Sequence, residues 1–204
     1  YYQCSNHAHM GNYVTVVSNK FNTNGVALKL PTADGTSGQA VVTDGSGSLS
    51  FAVVSGLATA SSWGQTATQT GSKNPITADL ALRTTAGQGN LGDAMTVNTG
   101  VFTFPSTGYW RIIAQFTFKR DGGDQQCMGT IKSTTNDGGA WTDVAACYVW
   151  LTASGVAIYS TTSCSAILDV TDISNNKVSF RTSHDNASNS TTGNADGSQT
   201  NFTF

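Results

Sequence analysis

The stretch from Thr99 to Lys119 constrains the fold of this chain more than any other. Phe102 and Phe104 alternate with a threonine, which is the period of a strand with one buried face. Pro105 to Gly108 then predicts a turn, because proline fixes φ and glycine tolerates positive φ. A longer alternation follows, and it has Tyr109 on its other face, so we expect a second subunit to cover that face. The residues on its apolar face are Trp110, Ile112, Ala114, Phe116 and Phe118. Two such strands in succession predict a β core built around these aromatic side chains.

Short strands separated by turn residues continue along the rest of the chain. From residue 76 onward, turn signals recur about every 8–15 residues and no segment has a helical period. We expect a first strand over 76–83 and a last one over 199–204. Between them the pattern predicts strands at 95–97, 126–133, 141–151, 158–170 and 177–182. This arrangement indicates an all-β protein with an antiparallel sandwich or jelly roll.

Three segments of different composition divide the chain. Residues 1–54 form a β-rich stalk or attachment segment with hairpin turns at Asn24-Gly25 and over 44–47. They contain too few large apolar residues for a core, so copies of the hairpins around a three-fold axis would have to cover one another. Residues 55–75 are rich in small polar residues and predict a linker. Its one large residue, Trp63, packs either on a neighbouring chain or on the head, which spans 76–204.

Composition excludes several classes of function. Only 11% of the residues are charged, the net charge is −2 and no basic run occurs, so we expect no nucleic-acid partner. No apolar run approaches the ~18–20 residues that span a bilayer, so no membrane insertion is expected. None of the four cysteines has Cys-x-x-Cys spacing, which argues against a zinc ribbon. Buried free thiols are the simplest interpretation, and three disulfide pairings remain open.

The N-terminal segment contains a His-x-His pair, His7 and His9. In an extended chain both imidazoles lie on one face, and three such strands around an axis would present six nitrogens to a transition metal. The pair resembles the His-x-His motif that carries iron in trimeric bacteriophage fibres and spikes. That resemblance implies a metal on the three-fold axis, whereas two exposed or hydrogen-bonded histidines are the alternative. No other cofactor is expected.

Residues 35–51, GTSGQAVVTDGSGSLSF, carry a second resemblance. They are similar to the Gly-x-x-Gly-Gln … Asp-Gly-x-Gly-x-Leu-x-Phe/Trp element of bacteriophage tail-fibre and other virion fibre proteins. In those proteins the element usually precedes a C-terminal head. A generic glycine-rich hairpin is the alternative.

The head resembles a third group. The sequence GVFTFPSTGYW, from Gly100 to Trp110, is similar to the Gly-x-Phe-x-x-Pro-x-x-Gly-x-Tyr hallmark of the globular head of complement's first component. That fold is shared with tumour necrosis factor. Ser198 to Phe204 resembles the closing strand of the same family. The resemblance implies a ten-stranded jelly roll that forms an aromatic-packed homotrimer. Calcium occurs in some members, but no acidic cluster of this chain matches such a site.

Polar loops at the ends of the predicted strands are the candidates for recognition. They span 121–126, 134–143 and 183–199, and Trp141 would stack on a sugar ring or pack into the trimer interface. The candidate receptor contacts are Asp121, Asp124, Asp137, Trp141, His184 and Asp185. No Gly-x-Ser-x-Gly elbow occurs, and most aspartates lie in turns that favour them for local hydrogen bonding, so we expect no enzymatic activity.

These observations favour a structural virion fibre protein of a bacteriophage. In this interpretation a homotrimeric tail fibre on the exterior of the virion contacts other virion proteins and recognises a host cell-surface polysaccharide or protein. A capsid decoration or head-fibre protein is the first alternative. A secreted complement-like lectin or cytokine-like ligand and a polysaccharide depolymerase are the others.

Overall fold

A computed structural model describes residues 2–3, 11–12, 20–23, 26–53, 56–85, 87–121, 125–152, 156, 158–195, 197 and 199–204. The regular structure within these ranges consists of strands without a helix, and every strand pair is antiparallel. The predicted all-β class is therefore confirmed. No described helix is long and apolar enough to cross a membrane. The chain divides into two compact units, Tyr1–Gly56 and Leu57–Phe204.

The first unit contains three antiparallel strand pairs. Their members are β1 (Tyr2–Gln3) with β2 (Gly11–Asn12), β3 (Lys20–Thr23) with β4 (Val26–Lys29), and β5 (Gln39–Thr43) with β6 (Leu49–Val53). Asp44 closes the turn between β5 and β6, since its Oδ1 accepts hydrogen bonds from the amides of Ser46 and Ser48 at 2.8 and 2.9 Å. Residues 27–53, whose side chains the structure describes, contribute none to the buried core. The β5–β6 hairpin therefore lacks a core of its own.

The second unit contains twelve strands in two sheets. In chain order they are β7 (Ser62–Gln65), β8 (Gln69–Thr70), β9 (Leu80–Leu82), β10 (Thr96–Asn98), β11 (Val101–Thr103), β12 (Gly108–Arg120), β13 (Gln125–Thr134), β14 (Thr142–Leu151), β15 (Ile158–Val170), β16 (Lys177–His184), β17 (Ser190–Thr191) and β18 (Asn201–Thr203). One sheet has the order β10-β11-β16-β13-β14. In the other, β12 pairs with β15 along one side and with β17 and β18 along the other; β8 continues from β17, and β7 and β9 continue from β18.

The inner faces of the two sheets share one hydrophobic core. The predicted alternation of β12 is confirmed, because Trp110, Ile112, Ala114, Phe116 and Phe118 are all buried. Phe180 of β16 stacks on Phe202 of β18 with ring centroids 3.7 Å apart, so aromatic contacts join the two sheets. Phe102 and Phe104 are buried as well. The arrangement is consistent with a β-sandwich.

The structure differs from the prediction at the predicted linker. Residues 62–65 of that segment form β7, which pairs with β18 and places Trp63 edge-on to Phe102 at 5.4 Å. β8 also lies in the predicted linker and pairs with β17. The boundary between the two compact units falls after Gly56 instead. Backbone pairing accounts for the difference, since strands made of small polar residues carry little hydrophobic periodicity.

The predicted strand over 76–83 is also shorter in the structure. Only Leu80–Leu82 forms a strand. Ile76 is buried through an irregular segment whose amide donates to the carbonyl of Phe180 at 2.8 Å.

Candidate functional site

A cleft of about 260 Å³ lies on the outer face of the five-stranded sheet. Its lining consists of Asn74, Pro75, Val101, Lys132, Trp141 and Ser179. The register explains how three of these residues meet, because Val101 of β11 and Lys132 of β13 both pair with Ser179 of β16. They form one row across three strands, and next to a β-bulge Lys132 pairs onward with Asp143 of β14. This row is the floor of the cleft.

Two segments outside the strands form the walls. Asn74 and Pro75 run beside β16, where the backbone of Lys73 exchanges hydrogen bonds with Thr182 at 3.0 and 2.9 Å. Trp141 stands at the end of the turn between β13 and β14. The cleft is thus assembled from segments that are far apart in the sequence.

Hydrogen bonds fix the turn that carries Trp141. The hydroxyl of Thr134 donates to Asn136 Oδ1 at 2.7 Å, and the same Asn136 oxygen accepts from the amide of Ala140 at 2.9 Å. Asp137 has a φ of 53°, and its amide donates to the carbonyl of Asn175 at 3.0 Å. The Trp141 indole therefore lies on a turn whose conformation is fixed by hydrogen bonds.

Charged groups lie next to the cleft. Lys132 Nζ contacts Asp143 Oδ1 at 2.5 Å, and Arg181 Nη1 lies 3.9 Å from Asp143 Oδ2. Lys177 lies on the same outward row of β16 as Arg181, and its Nζ donates to the carbonyl of Ile173 at 2.8 Å. Lys132 is the one charged side chain among the residues that line the cleft, so it is the group that an anion in the cleft would contact.

The structure places the other predicted receptor contacts in different positions. The carboxylate of Asp121 already has two partners within the chain. It forms an ion pair with Lys119 Nζ at 2.8 Å and accepts a hydrogen bond from Ser190 Oγ at 3.2 Å. Asp185 is exposed and accepts from the amide of Gln126 at 3.1 Å. Asp137 lies in the turn before Trp141. Asp124 lies outside the described residues. Of the five candidates that the structure describes, only Trp141 lines the cleft.

His184 requires a correction. Its side chain is only 8% exposed and packs edge-on to Phe118, with ring centroids 5.3 Å apart. Its Nε2 lies 3.3 Å from Thr191 Oγ1. Burial lowers the pKa of His184 to about 4. The side chain thus belongs to the core and cannot contact a receptor from this position.

The predicted binding loop over 183–199 is largely internal for a related reason. Residues 189–192 are buried. Their polar groups find partners there, since the Thr192 amide donates to the Thr117 carbonyl at 2.8 Å and Asn189 Nδ2 donates to Gln125 Oε1 at 3.1 Å. A polar sequence is therefore no sign of exposure here.

The cysteines and histidines that the structure describes form no metal cluster. Within the described ranges, no group of three or more His, Cys, Asp or Glu side chains is placed to hold a metal ion. His7, His9 and Cys4 lie outside those ranges. Cys127, Cys147 and Cys164 are free thiols, and burial raises the pKa of Cys127 to about 11. The thiols of Cys147 and Cys164, on β14 and β15, hydrogen-bond to each other.

Two exposed apolar patches form a second candidate surface. The β12/β15 patch lies on the outer face of its sheet and consists of Tyr109, Ile113 and Ile167. The β14 patch consists of Tyr148 and Trp150. Tyr109 is 80% exposed and Ile167 is 71% exposed, whereas the aromatic residues on the apolar face of β12 are buried. Exposed large apolar groups in such a cluster are typical of protein contacts.

Sequence reasoning identified Trp141 but missed the rest of the cleft. Lys132, Val101 and Ser179 come together only through strand register, which the chain does not reveal locally. Comparison with protein-family models found no match, and comparison with curated proteins found none.

Proposed function

We propose that this chain is a subunit of a homotrimeric bacteriophage virion fibre, a tail fibre, whose C-terminal sandwich is the head that contacts the host surface. The head acts by binding and performs no catalysis. Residues 1–54 form the hairpin stalk or attachment segment that meets other virion proteins. The protein accordingly lies on the exterior of the virion.

The observation that carries the trimer is the pair of exposed apolar patches. The β12/β15 patch and the β14 patch lie on different sheets and differ in composition. A head-to-tail contact between two such unlike patches generates a ring when the rotation between subunits closes, as it does for three-fold symmetry. In the proposed trimer, the occupant of each patch is another copy of this chain.

The edge of the sandwich supports the same conclusion. β15 runs for 13 residues and pairs along its length with β12 only, among the strands described. A long edge strand with apolar neighbours invites association unless something covers it. β14 of the other sheet lies against β15, where the thiols of Cys147 and Cys164 meet, and in the proposed trimer a second subunit covers the remaining edge.

The strand order supports the jelly-roll assignment. Leaving aside the two-residue strands β8 and β17, each sheet has five strands, as a ten-stranded jelly roll requires. The first unit supports a stalk role, because Val41 and Val53 are exposed on a hairpin that lacks a core. Such hairpins gain stability by packing against copies of themselves.

Light scattering after size-exclusion chromatography tests the assembly. At micromolar concentration we expect a mass of three times the 21.2 kDa chain. A monomer overturns the trimeric fibre. Immunogold labelling of purified phage particles with an antibody against this chain then tests its position, since label on the tail supports the tail fibre and label on the capsid favours a decoration protein.

A further inference from the structure

The cleft beside Trp141 has the features of a site for one charged sugar ring. We propose that it binds an acidic pyranose, the uronate-type residue of an anionic surface polysaccharide. This inference rests on the proposed function, because it names the ligand class that the head recognises.

Size and shape limit the ligand. A cleft of about 260 Å³ is slightly smaller than the roughly 300–1,000 Å³ pockets that hold drug-sized molecules. Trp141 provides an aromatic wall, and Pro75 and Val101 provide aliphatic surface near it. An indole face packs well against the apolar C–H face of a pyranose while leaving the ring hydroxyls at the rim. A single sugar residue therefore fits better than a bulky side chain or a lipid.

Two polar side chains in the cleft are available to hydrogen-bond with a ligand. The side chains of Asn74 and Ser179 make no hydrogen bond with any described residue. Ser179 is almost completely buried, so its hydroxyl gains a partner only from something that enters the cleft. A carboxamide offers two donors and an acceptor, and a hydroxyl offers one donor. This set matches the vicinal hydroxyls of a sugar.

Charge selects an acidic sugar over a neutral one. Lys132 lines the cleft, and its ammonium group has three N–H donors. The ion pair with Asp143 uses one of them. Lys132 is the charged residue of the lining, and Arg181 contacts the same Asp143 carboxylate, so one carboxylate is shared between two cations. A carboxylate beside Lys132 would form a charge-assisted hydrogen bond. A nucleic acid is a poorer fit, because its dense phosphate charge needs many cations and the chain has a net charge of −2.

Titration with single sugars tests this site on the full-length chain. The probes are sodium D-glucuronate and D-glucose, and the readout is saturation-transfer NMR together with tryptophan fluorescence. We expect glucuronate to bind about tenfold more tightly than glucose, because one charge-assisted hydrogen bond is added. Binding should weaken as salt is raised.

Two substitutions separate the contributions of the indole and the ammonium group. Trp141→Ala should lower the affinity for both sugars by about tenfold or more, and Trp141→Phe should retain part of that affinity. Lys132→Gln should remove the preference for glucuronate, and Lys132→Arg should retain it. Lys119→Gln is the matched control, since it removes an ion-paired lysine from the other sheet and should leave both affinities unchanged. Circular dichroism verifies that each variant is folded.

Several outcomes overturn the inference. Equal affinity for the two sugars, an unchanged preference in Lys132→Gln, or unchanged binding in folded Trp141→Ala would each do so. The oligomeric state of the same samples distinguishes the two proposals. If the protein is a trimer but binds no glucuronate, the sugar site is wrong and the proposed fibre stands. If it is a monomer that binds glucuronate, the fibre is wrong and the sugar site stands.

Discussion

His184 is an ionisable ring that the fold places against Phe118. Burial disfavours its charged form and lowers its pKa to about 4, below the ordinary value of 6.5. The unfolded chain therefore binds a proton on this histidine at a pH where the folded chain does not. Stability from the neutral ring is fully present above pH 6.5 and is lost as the pH falls toward 4.

We expect the free energy of unfolding to decrease as the pH is lowered from 6.5 to 5, with a contribution from His184 of at most about 1.4 kcal/mol per pH unit. Urea unfolding followed by tryptophan fluorescence measures the slope of the unfolding free energy against pH. The pH range lies above that in which most carboxyl groups titrate. His184→Gln should flatten the slope, and the double change His7→Ala with His9→Ala should not. An identical slope in His184→Gln would show that another group is responsible.

At the scale of elements, the side chain of Arg83 joins β7, β9 and the segment before β18. It is buried, and its guanidinium donates to the carbonyls of Gln65, Asn194, Ala195 and Gly197 at 2.6–3.1 Å. The described residues provide no carboxylate within ion-pair distance of it. Gly64 of β7 lies so close that a Cβ there would be 2.0 Å from Arg83 Nε. The glycine is required by this close approach.

We therefore expect Gly64→Ala to destabilise the protein by about 1–3 kcal/mol, since the methyl group must displace a hydrogen-bonded side chain from a packed site. Gly89→Ala is the matched control, because no atom lies within 4 Å of the added Cβ and its φ is not positive. Chemical denaturation of both variants provides the comparison. If the two variants have the same free energy of unfolding, the Arg83 side chain adjusts to the added methyl group without loss of stability.

The elements that could be predicted are those with strong alternation. The bounds of β15 agree with the prediction, and β11, β12, β13, β14 and β16 are predicted within a few residues. β7, β8 and β17 were missed, because they consist mainly of small polar residues held by backbone pairing. The same limit applies to the cleft, since Trp141 is visible in the sequence whereas the row from Val101 to Lys132 depends on register. His184 was placed in a loop because local polarity does not reveal a buried hydrogen-bond network.

At the scale of the whole molecule, the sites for self-association and for ligand binding use different residues. None of the residues that line the cleft belongs to the β12/β15 patch or the β14 patch. Substitutions can therefore remove one property and leave the other. This separation makes the trimer testable without disturbing the cleft.

Ile167 is the best position for that test. It lies on β15 opposite Arg111 of β12 and is 71% exposed in the single subunit, so a polar residue there costs the isolated fold little. In the proposed trimer the same side chain is buried, and an unpaired carboxylate in an apolar contact is strongly unfavourable. We expect Ile167→Asp to reduce the mass measured by light scattering from three times 21.2 kDa to a single chain, with an unchanged circular dichroism spectrum. Ile173→Asp, at an exposed isoleucine outside both patches, should remain trimeric. A trimeric Ile167→Asp variant would mean that the β12/β15 patch does not form the contact between subunits.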